Sequence, residues 1–567
     1  MRITNKIIQN NSIQNINTNK TLQDKLNNQM ATEKKINRPS EDPVVAIRAL
    51  RLRTNVSQAT QYYKKNIPDA ESWIQLTESA LTTVSDVLTD MIQKCTSGSS
   101  EKLTMTDAST ILDALTSLRD EVYSTGNSDY AGRSLFTGYR TESSLMFKEA
   151  STDKYKYSIT EQLNSNALDS VTYINSRFLN GINEANYLDA VTGTQLDDGS
   201  TVLNTQVAEQ LIEESTIHRI RLAYDNLDVL TQEDVDNGLL RIELFNPDTK
   251  SETVSENFDI NWGEDHAEMK PTVVKQSDIP NPYYQIAEMN KKLENKESGA
   301  EEMMVLIPET GELLMTDGLY LKLKGLQDDV TTPTVDESQI RITYEKSTWD
   351  KGDLKPEHYF YCVDKAKDNP DEYVTYNSTY IEEKAERQSI EYDVGVGQTI
   401  RINTTADEVF KHDIGRDVDD LIAVLNEVVK MEETVSRLEN IKKNLPQDEQ
   451  YKEKEAALNA QIDAANKAFT YLNEKRQSLF EHSITKMQNH LNTANTATTA
   501  CGTRGQKLDM IKNRLMSQKT NFETLESENE NVDVTDVAIQ LSSAKLTYDA
   551  ALMSVGKILE TSLMNYI

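Results

Sequence analysis

The chain has 567 residues and a formal net charge of −32, from 60 Lys and Arg against 92 Asp and Glu. That length exceeds what one hydrophobic core usually serves, so several domains are expected. Such acidity argues against a nucleic-acid binder, whose phosphate contacts need basic surface.

The charge is unevenly spread. Residues 1–66 hold twelve Lys and Arg against four Asp and Glu, a local charge of +8, while the remaining 501 residues carry −40. A basic start on an acidic chain implies that the start meets a different neighbour from the middle. The opening MRITNKIIQNNSIQNINTNK lacks the continuous apolar core of a cleavable secretion signal, and no apolar run approaches the roughly eighteen residues of a membrane span. Cys95, Cys362 and Cys501 are widely spaced and form neither a disulfide framework nor a zinc pattern.

Residues 1–35 are rich in Asn, Gln and Thr, with isolated Ile3, Ile7, Ile8, Ile13, Ile16, Leu22, Leu26 and Met30. A helix with so thin an apolar stripe is marginal alone, because nucleation is costly. It is expected to be disordered in the monomer and to order against partners. Next, INRPSEDPVVAIRALRLRTN interrupts the helix at Pro39 and Pro43. Asp42-Pro43 reads as an N-cap followed by a first-turn proline, starting a helix that runs to about Asn66. Pro68 either begins the next turn or kinks one long helix. From Ile74 a heptad runs through Thr77, Leu81, Val84, Leu88, Met91 and Cys95, and the Ser-Gly-Ser-Ser at 97–100 ends it. Another helix spans about 105–124.

The texture then changes. Eight of the twelve prolines fall between 247 and 370, and short alternating runs predict strands at 154–160, 239–245, 303–307, 339–344, 388–394 and 398–403. Helix is expected within this stretch around 204–231. Acid pairs such as Asp328-Asp329 and Asp419-Asp420 read as solvated surface. Tyr359, Tyr361, Tyr373, Tyr376 and Tyr380 form a tyrosine-rich patch, open to two readings: a carbohydrate or partner surface, or half-buried strand packing.

Helix returns at 418–445 and stops at Pro446. Heptad lines follow through Ile462, Ala465, Phe469 and Leu472, then through Phe480, Ile484, Met487, Leu491, Ala494, Thr498 and Cys501, where Gly502 and Gly505 allow a break. The last stretch, 534–567, carries Val534, Val537, Leu541, Ala544, Tyr548, Ala551, Val555 and Ile558 at alternating gaps of three and four, the spacing of a helix that pairs with another helix. Burying one such Leu or Ile contributes roughly 1.5–3 kcal/mol.

The predicted fold is mainly α at both termini, with long helices in a coiled-coil-like discontinuous bundle and an inserted β-rich (α+β) middle module. An N-terminal assembly helix at 1–45 pairs with a C-terminal one at 525–567. A helical domain at 46–150 pairs with its return at 411–524, and 151–410 is the surface-facing insertion. The predicted assembly interface comprises Ile3, Ile7, Ile8, Ile13 and Ile16 with Leu541, Tyr548, Leu552, Val555, Ile558, Leu559, Leu563 and Tyr566. Arg38, Pro39, Ser40, Glu41, Asp42 and Pro43 read either as a joint between helical layers or as a helix break with an N-cap. His482 and His490 stand eight apart, too far for the usual helical metal pair, and no HExxH, phosphate-loop or nucleophile-elbow motif occurs. No catalytic, cofactor or metal residue is assigned, and the reading is not that of an enzyme.

The opening MRIT, the loop INRPSEDPVVAIRAL, the turn YAGRSLFTGYRT at 130–141, the segment IEYDVGVGQTIRINTTADEVF at 390–410 and the ending KILETSLMNYI together resemble the flagellin superfamily, and within it the hook–filament junction group. The pattern departs at Ser40-Glu41-Asp42-Pro43, where the family tends to carry two aspartates before the proline. It also departs at Leu145-Met146-Phe147, where a proline–phenylalanine step is usual. The resemblance implies a structural, extracellular subunit of the bacterial flagellum, exported by the flagellar type III route without a cleaved signal. It implies a homo-oligomeric ring between the first hook-associated protein and the flagellin filament, and an export chaperone that holds the C-terminal helix. A flagellin that builds the filament itself, and a surface-displayed adhesin with its binding module at 151–410, are the alternative readings.

Overall fold

The computed structural model describes residues 5–101, 103–189, 193–244, 267–325, 340–367, 369–381, 388–447 and 450–563. Four helices open the chain: α1 (Asn5–Thr32), α2 (Pro43–Gln61), α3 (Ile67–Gly98) and α4 (Met105–Thr125). Four short ones, α5 (Gln232–Asp236), α6 (Pro282–Glu294), α7 (Asp317–Lys324) and α8 (Ala406–Val409), lie among the strands. Three long ones close it: α9 (His412–Lys443), α10 (Tyr451–Glu530) and α11 (Val534–Leu563). Long helices at both ends thus enclose a middle rich in β-sheet. None of the described helices is long and apolar enough to cross a membrane.

Local chemistry sets most of these boundaries. Asp42 sits in extended conformation, and its carboxylate accepts from the backbone N–H groups of Val44 and Val45, with Pro43 in the first turn of α2. Pro68 is the second residue of α3, in its first turn. A π-helical segment, Tyr62–Asn66, stands immediately before it, and Ile67 N–H bonds back to Tyr62. Opening the helix by one residue relieves the clash and the missing donor that a proline brings. At α4, Thr104 and Asp107 form a reciprocal capping box. The predicted break at Gly502 and Gly505 does not occur, since α10 runs for 80 residues through both. Each glycine weakens a helix by about 1 kcal/mol, but buried Cys501 and Leu508 flank the pair and hold the turns in place.

The chain divides into two compact units. The first takes the described residues of Met1–Ser72, Glu391–Arg401 and Thr503–Ile567, and the second those of Trp73–Ile390 and Ile402–Gly502.

The second unit contains two larger sheets. In the six-stranded antiparallel sheet the order is Val374–Tyr376, Tyr361–Asp364, Ser151–Leu163, Ile340–Trp349, Leu240–Leu244 and Ala267–Met269. Its central pair aligns Tyr344 with Ile159, and the register shifts between Lys346 and Thr348. The five-stranded sheet runs Thr272–Val273, Met304–Ile307, Glu312–Met315, Glu214–Arg221 and Leu168–Ile174, with only the first pair parallel. Phe147 stacks on Trp349 at 4.7 Å between ring centres within an apolar cluster that both sheets line.

The helix expected at 204–231 is absent. That stretch holds two single 3₁₀ turns, Asn204–Gln206 and Glu209–Leu211, followed by the strand Glu214–Arg221. Ser215-Thr216-Ile217 favours extended backbone, and pairing on both sides, with Glu312–Met315 and Leu168–Ile174, outweighs any local helical tendency. Predicted strand residues Phe245 and Gln339 lie outside the described residues, as do Asp328-Asp329.

Side chains from one helix complete the ends of others in this unit. The N-cap of α9, Lys411, makes no side-chain capping bond. Tyr123 of α4 takes that role, its hydroxyl accepting from Gly415 N–H at 2.8 Å and donating to the Lys411 carbonyl at 3.1 Å. A Cβ on residue 415 would stand 2.7 Å from that hydroxyl, which is why glycine is required there. Arg476 of α10 is buried and donates to the carbonyls of Gly98, at the end of α3, and of Ser100. Cys95, Cys362 and Cys501 are all buried free thiols, and burial pushes Cys95 up to about 12.

Asp419-Asp420 is half-buried and ion-paired rather than freely solvated. Asp419 bonds Arg119 at 2.6 Å, and Asp420 takes Arg219 at 2.5 Å and Arg221 at 2.7 Å. Arg221 also reaches Asp417 at 2.5 Å, with Lys486 at 3.0 Å and His490 at 3.4 Å on the same carboxylate. Burial alone would raise Asp417, but the bonds from His490 and Arg221 and the charges of Arg221 and Lys486 outweigh it and hold the carboxyl well below its ordinary value. A depressed carboxyl stabilises the fold above its unfolded value, and that contribution is lost as pH falls through the folded value. Asp417→Asn is therefore expected to cost about 3–5 kcal/mol, since it leaves Arg221 with its buried partner set broken. Urea unfolding monitored by circular dichroism measures this, and the acid limb of the variant's stability curve should be flatter than that of the parent.

Candidate assembly surface

In the first unit, α1 and α11 pack against each other. Leu26 of α1 is buried against Val537 and Ala544 of α11, with half-buried Val532 and Leu541 completing the cluster. Farther along α11, Tyr548, Ala551 and Val555 are half-buried. These residues recur at the three–four spacing of a helix pair.

A polar clasp joins the segments that flank this pair. Lys35 N–H donates to the Glu530 carbonyl at 2.8 Å, and Val532 N–H to the Glu33 carbonyl at 3.0 Å, so the chain leaving α1 bonds to the chain entering α11. The Glu530 carboxylate is buried and receives both Nε of Arg53, at 2.6 Å, and its terminal nitrogen, at 2.5 Å. Lys34 adds a third contact at 3.3 Å. The Arg53 bonds, followed by those of Lys34, hold the Glu530 carboxyl below its ordinary value. Two parallel N–H···O bonds fix geometry as well as charge.

The predicted loop, 38–43, is a tight turn between α1 and α2. Glu41 N–H bonds the Arg38 carbonyl at 3.0 Å, and Glu41's carboxylate accepts from Asn37 N–H at 3.1 Å. Arg38, Pro39, Ser40, Glu41 and Pro43 are exposed, and Asp42 is half-buried by its capping work. The hairpin formed by Glu391–Gly395 and Gln398–Arg401 packs on the π-helical segment. There Tyr392 bonds Asp69, and Asn66 donates to the Asp393 carbonyl at 2.8 Å.

Among the predicted interface residues whose side chains are described, only Leu541 enters the α1–α11 cluster, while Ile16, Tyr548 and Val555 are half-buried. Ile7, Ile8, Ile13 and Leu552 remain exposed. Ile558, Leu559 and Leu563 belong to α11, but their side chains are outside the description, and Ile3 and Tyr566 lie outside the described residues. Sequence reading missed a further line on α11. Ile539, Leu546 and Met553 recur at heptad spacing and are 63%, 74% and 72% exposed. On α2, Val44, Ile47 and Leu50 form a second exposed apolar row. The heptad period of 539, 546 and 553 was present in the sequence, two positions along from the more obvious stripe. The clasp carried no local signal, because Arg53 and Glu530 stand 477 positions apart.

Residues 3–141 match the family model for the bacterial flagellin N-terminal helical region. The flagellar hook-associated protein 3 of Salmonella typhimurium is 27% identical over 185 residues, 32% of this chain and 58% of that protein. The protein of the same name from Escherichia coli is 27% identical over 150 residues, 26% of this chain and 47% of that one. The chain thus spans about half the length of the curated relatives it matches. The solved structure of Xanthomonas campestris FlgL aligns at 10% identity over 83% of this chain and 99% of its own, with a TM-score of 0.22, too loose a superposition to speak to the fold. Over residues 3–141 the chain is thus similar to the bacterial flagellin N-terminal helical region, and its curated similarity runs to proteins named flagellar hook-associated protein 3.

Proposed function

We propose that this chain is a structural subunit of the bacterial flagellum, positioned outside the cell at the junction of hook and filament. Its terminal helices order against neighbouring subunits and build a ring. The observation that carries this reading is the apolar surface left open on the terminal helices, namely Ile539, Leu546 and Met553 on α11 and Val44, Ile47 and Leu50 on α2. Rows of large apolar side chains at helical spacing are costly to leave in water and are met by other helices. The curated relatives, both named flagellar hook-associated protein 3, support the position of the subunit.

In this reading, copies of the chain pair along these rows. A hook-associated protein lies on the hook side and flagellin on the filament side, and an export chaperone covers α11 before assembly. The loop 38–43 is the joint that lets α1 and α2 serve different layers. The terminal pairs 1–45 with 525–567, and 46–150 with 411–524, supply the helical layers, and 151–410 faces outward.

Leu546→Glu places a charge on the open row without touching the α1–α11 cluster. Surface changes of this kind move stability by no more than about 0.5 kcal/mol, so the purified variant should melt with the parent. Cells that carry it as their only copy are expected to shed filaments and lose swimming. Normal filaments on those cells would remove the row from the interface. Counting subunits per flagellum tests the position itself, because a number matching a short ring fits a junction and a number in the thousands fits a filament.

The clasp gives a separate expectation. With Glu530→Gln, amide exchange at Lys35 and Val532 should quicken, while amides of α9 keep their protection. In the parent, protection of the same amides relative to their intrinsic exchange rate should fall as pH drops below about 4.5, the ordinary value for this group, because a depressed carboxyl stabilises only while it is ionised.

A further inference from the structure

The second unit holds a cleft of about 660 Å³, separate from the terminal helices. Its walls come from the strand Ser151–Leu163, the 359–361 segment, the start of α9 and one turn of α10. That size falls within the range of small-molecule sites.

Two sets of polar groups stand out on the walls, which also carry Lys411 and Asp413. Several charged ones are paired. Asp417 is held by Arg221, Lys486 and His490, and Asp169 by Arg219 and Lys486. Glu161 accepts from the Tyr344 hydroxyl and from Ala223 N–H. Two neutral groups are not satisfied. Tyr359 is 7% exposed, and its hydroxyl has no hydrogen-bond partner. His412 Nε2 is likewise buried and without a partner. Burial and the nearby Arg416 hold His412 down to about 3, so its imidazole is neutral. Tyr224 and Tyr359 meet the His412 ring edge-on, at 4.8 and 4.5 Å between centres, so it cannot swing away to find a bond elsewhere. Buried polar atoms left without partners on a cleft wall are uncommon and mark a place where a bound group completes the set. Phe360, Tyr361 and Tyr380 line the same cleft.

We propose that this cleft is a binding site for a neutral saccharide, with Tyr359 Oη and His412 Nε2 as hydrogen-bonding groups and the flanking aromatic rings as the surface for the sugar's C–H face. Uncharged hydroxyls match two uncharged, unsatisfied groups. A charged ligand would instead compete with ion pairs already made within the wall. The site also resolves the tyrosine-rich patch: Tyr359, Tyr361 and Tyr380 line the cleft, while Tyr376 packs under Arg140.

The test is saturation-transfer NMR on the full chain with maltose, cellobiose and N,N′-diacetylchitobiose, and with tetramethylammonium and inorganic phosphate as charged probes. At least one disaccharide is expected to bind saturably. Tyr359→Phe should weaken it about tenfold, the loss of one hydrogen bond, without lowering the melting temperature of the free protein. Tyr361→Ala, a half-buried position, provides a second variant with the same expected direction. Binding of no disaccharide, binding of tetramethylammonium or phosphate alone, or disaccharide affinity unchanged in both variants would overturn the assignment.

Discussion

Arg219 and Arg221 share one face of the strand Glu214–Arg221, and two carboxylates of α9, Asp417 and Asp420, meet them. The match relies on two periods. Alternate residues of a strand point the same way, and residues three apart on a helix lie on one face. Glu312 binds Arg219 from the neighbouring strand, and Lys486 and His490 reach Asp417 from α10. Five-stranded sheet, α9 and α10 are therefore bound into a single charge-compensated core. Because Arg219, Asp417 and Glu312 are buried, none of these three can be deleted without stranding a partner. The network is costly to form and correspondingly selective, since a shift of α9 by one residue would turn Asp417 and Asp420 away from both arginines.

The first unit relies on a different balance. Its helix pair buries little, with Leu26, Val537 and Ala544 as the covered centre. Such a pair is marginal alone. Arg53 and Lys34 converging on Glu530 fix the crossover between the ends, so that the apolar faces of α1, α2 and α11 are presented in one arrangement. The second unit is locked by internal charge pairing, whereas the first keeps apolar side chains uncovered.

Much of the helical architecture was legible because its signals are local. Asp42-Pro43, the Thr104 box and the heptads of α3, α9 and α10 each announce themselves within a few residues. Six short strand runs were also visible in outline. Where the outcome depended on distant partners, sequence reading failed. The stretch 204–231 became strand because two other strands flank it, and the glycines at 502 and 505 stayed helical because their neighbours are buried. Asp419-Asp420 resembled surface until the arginines facing it were known. Of the site, the helical spacing in 534–567 was readable, but which of its apolar residues are covered was not. Ile7, Ile8 and Ile13 give the same hydropathy signal as Leu26, and only the packing of α11 tells them apart.

The three buried thiols have a further consequence. Cys95, Cys362 and Cys501 sit apart in the core with no covalent link between them, and a thiol pushed up by burial is a poor nucleophile. The polypeptide therefore has the topology of a plain thread. It can be drawn out to full extension and wound back to the same fold with no bond to break, no oxidant to wait for and no mispaired bridge to undo.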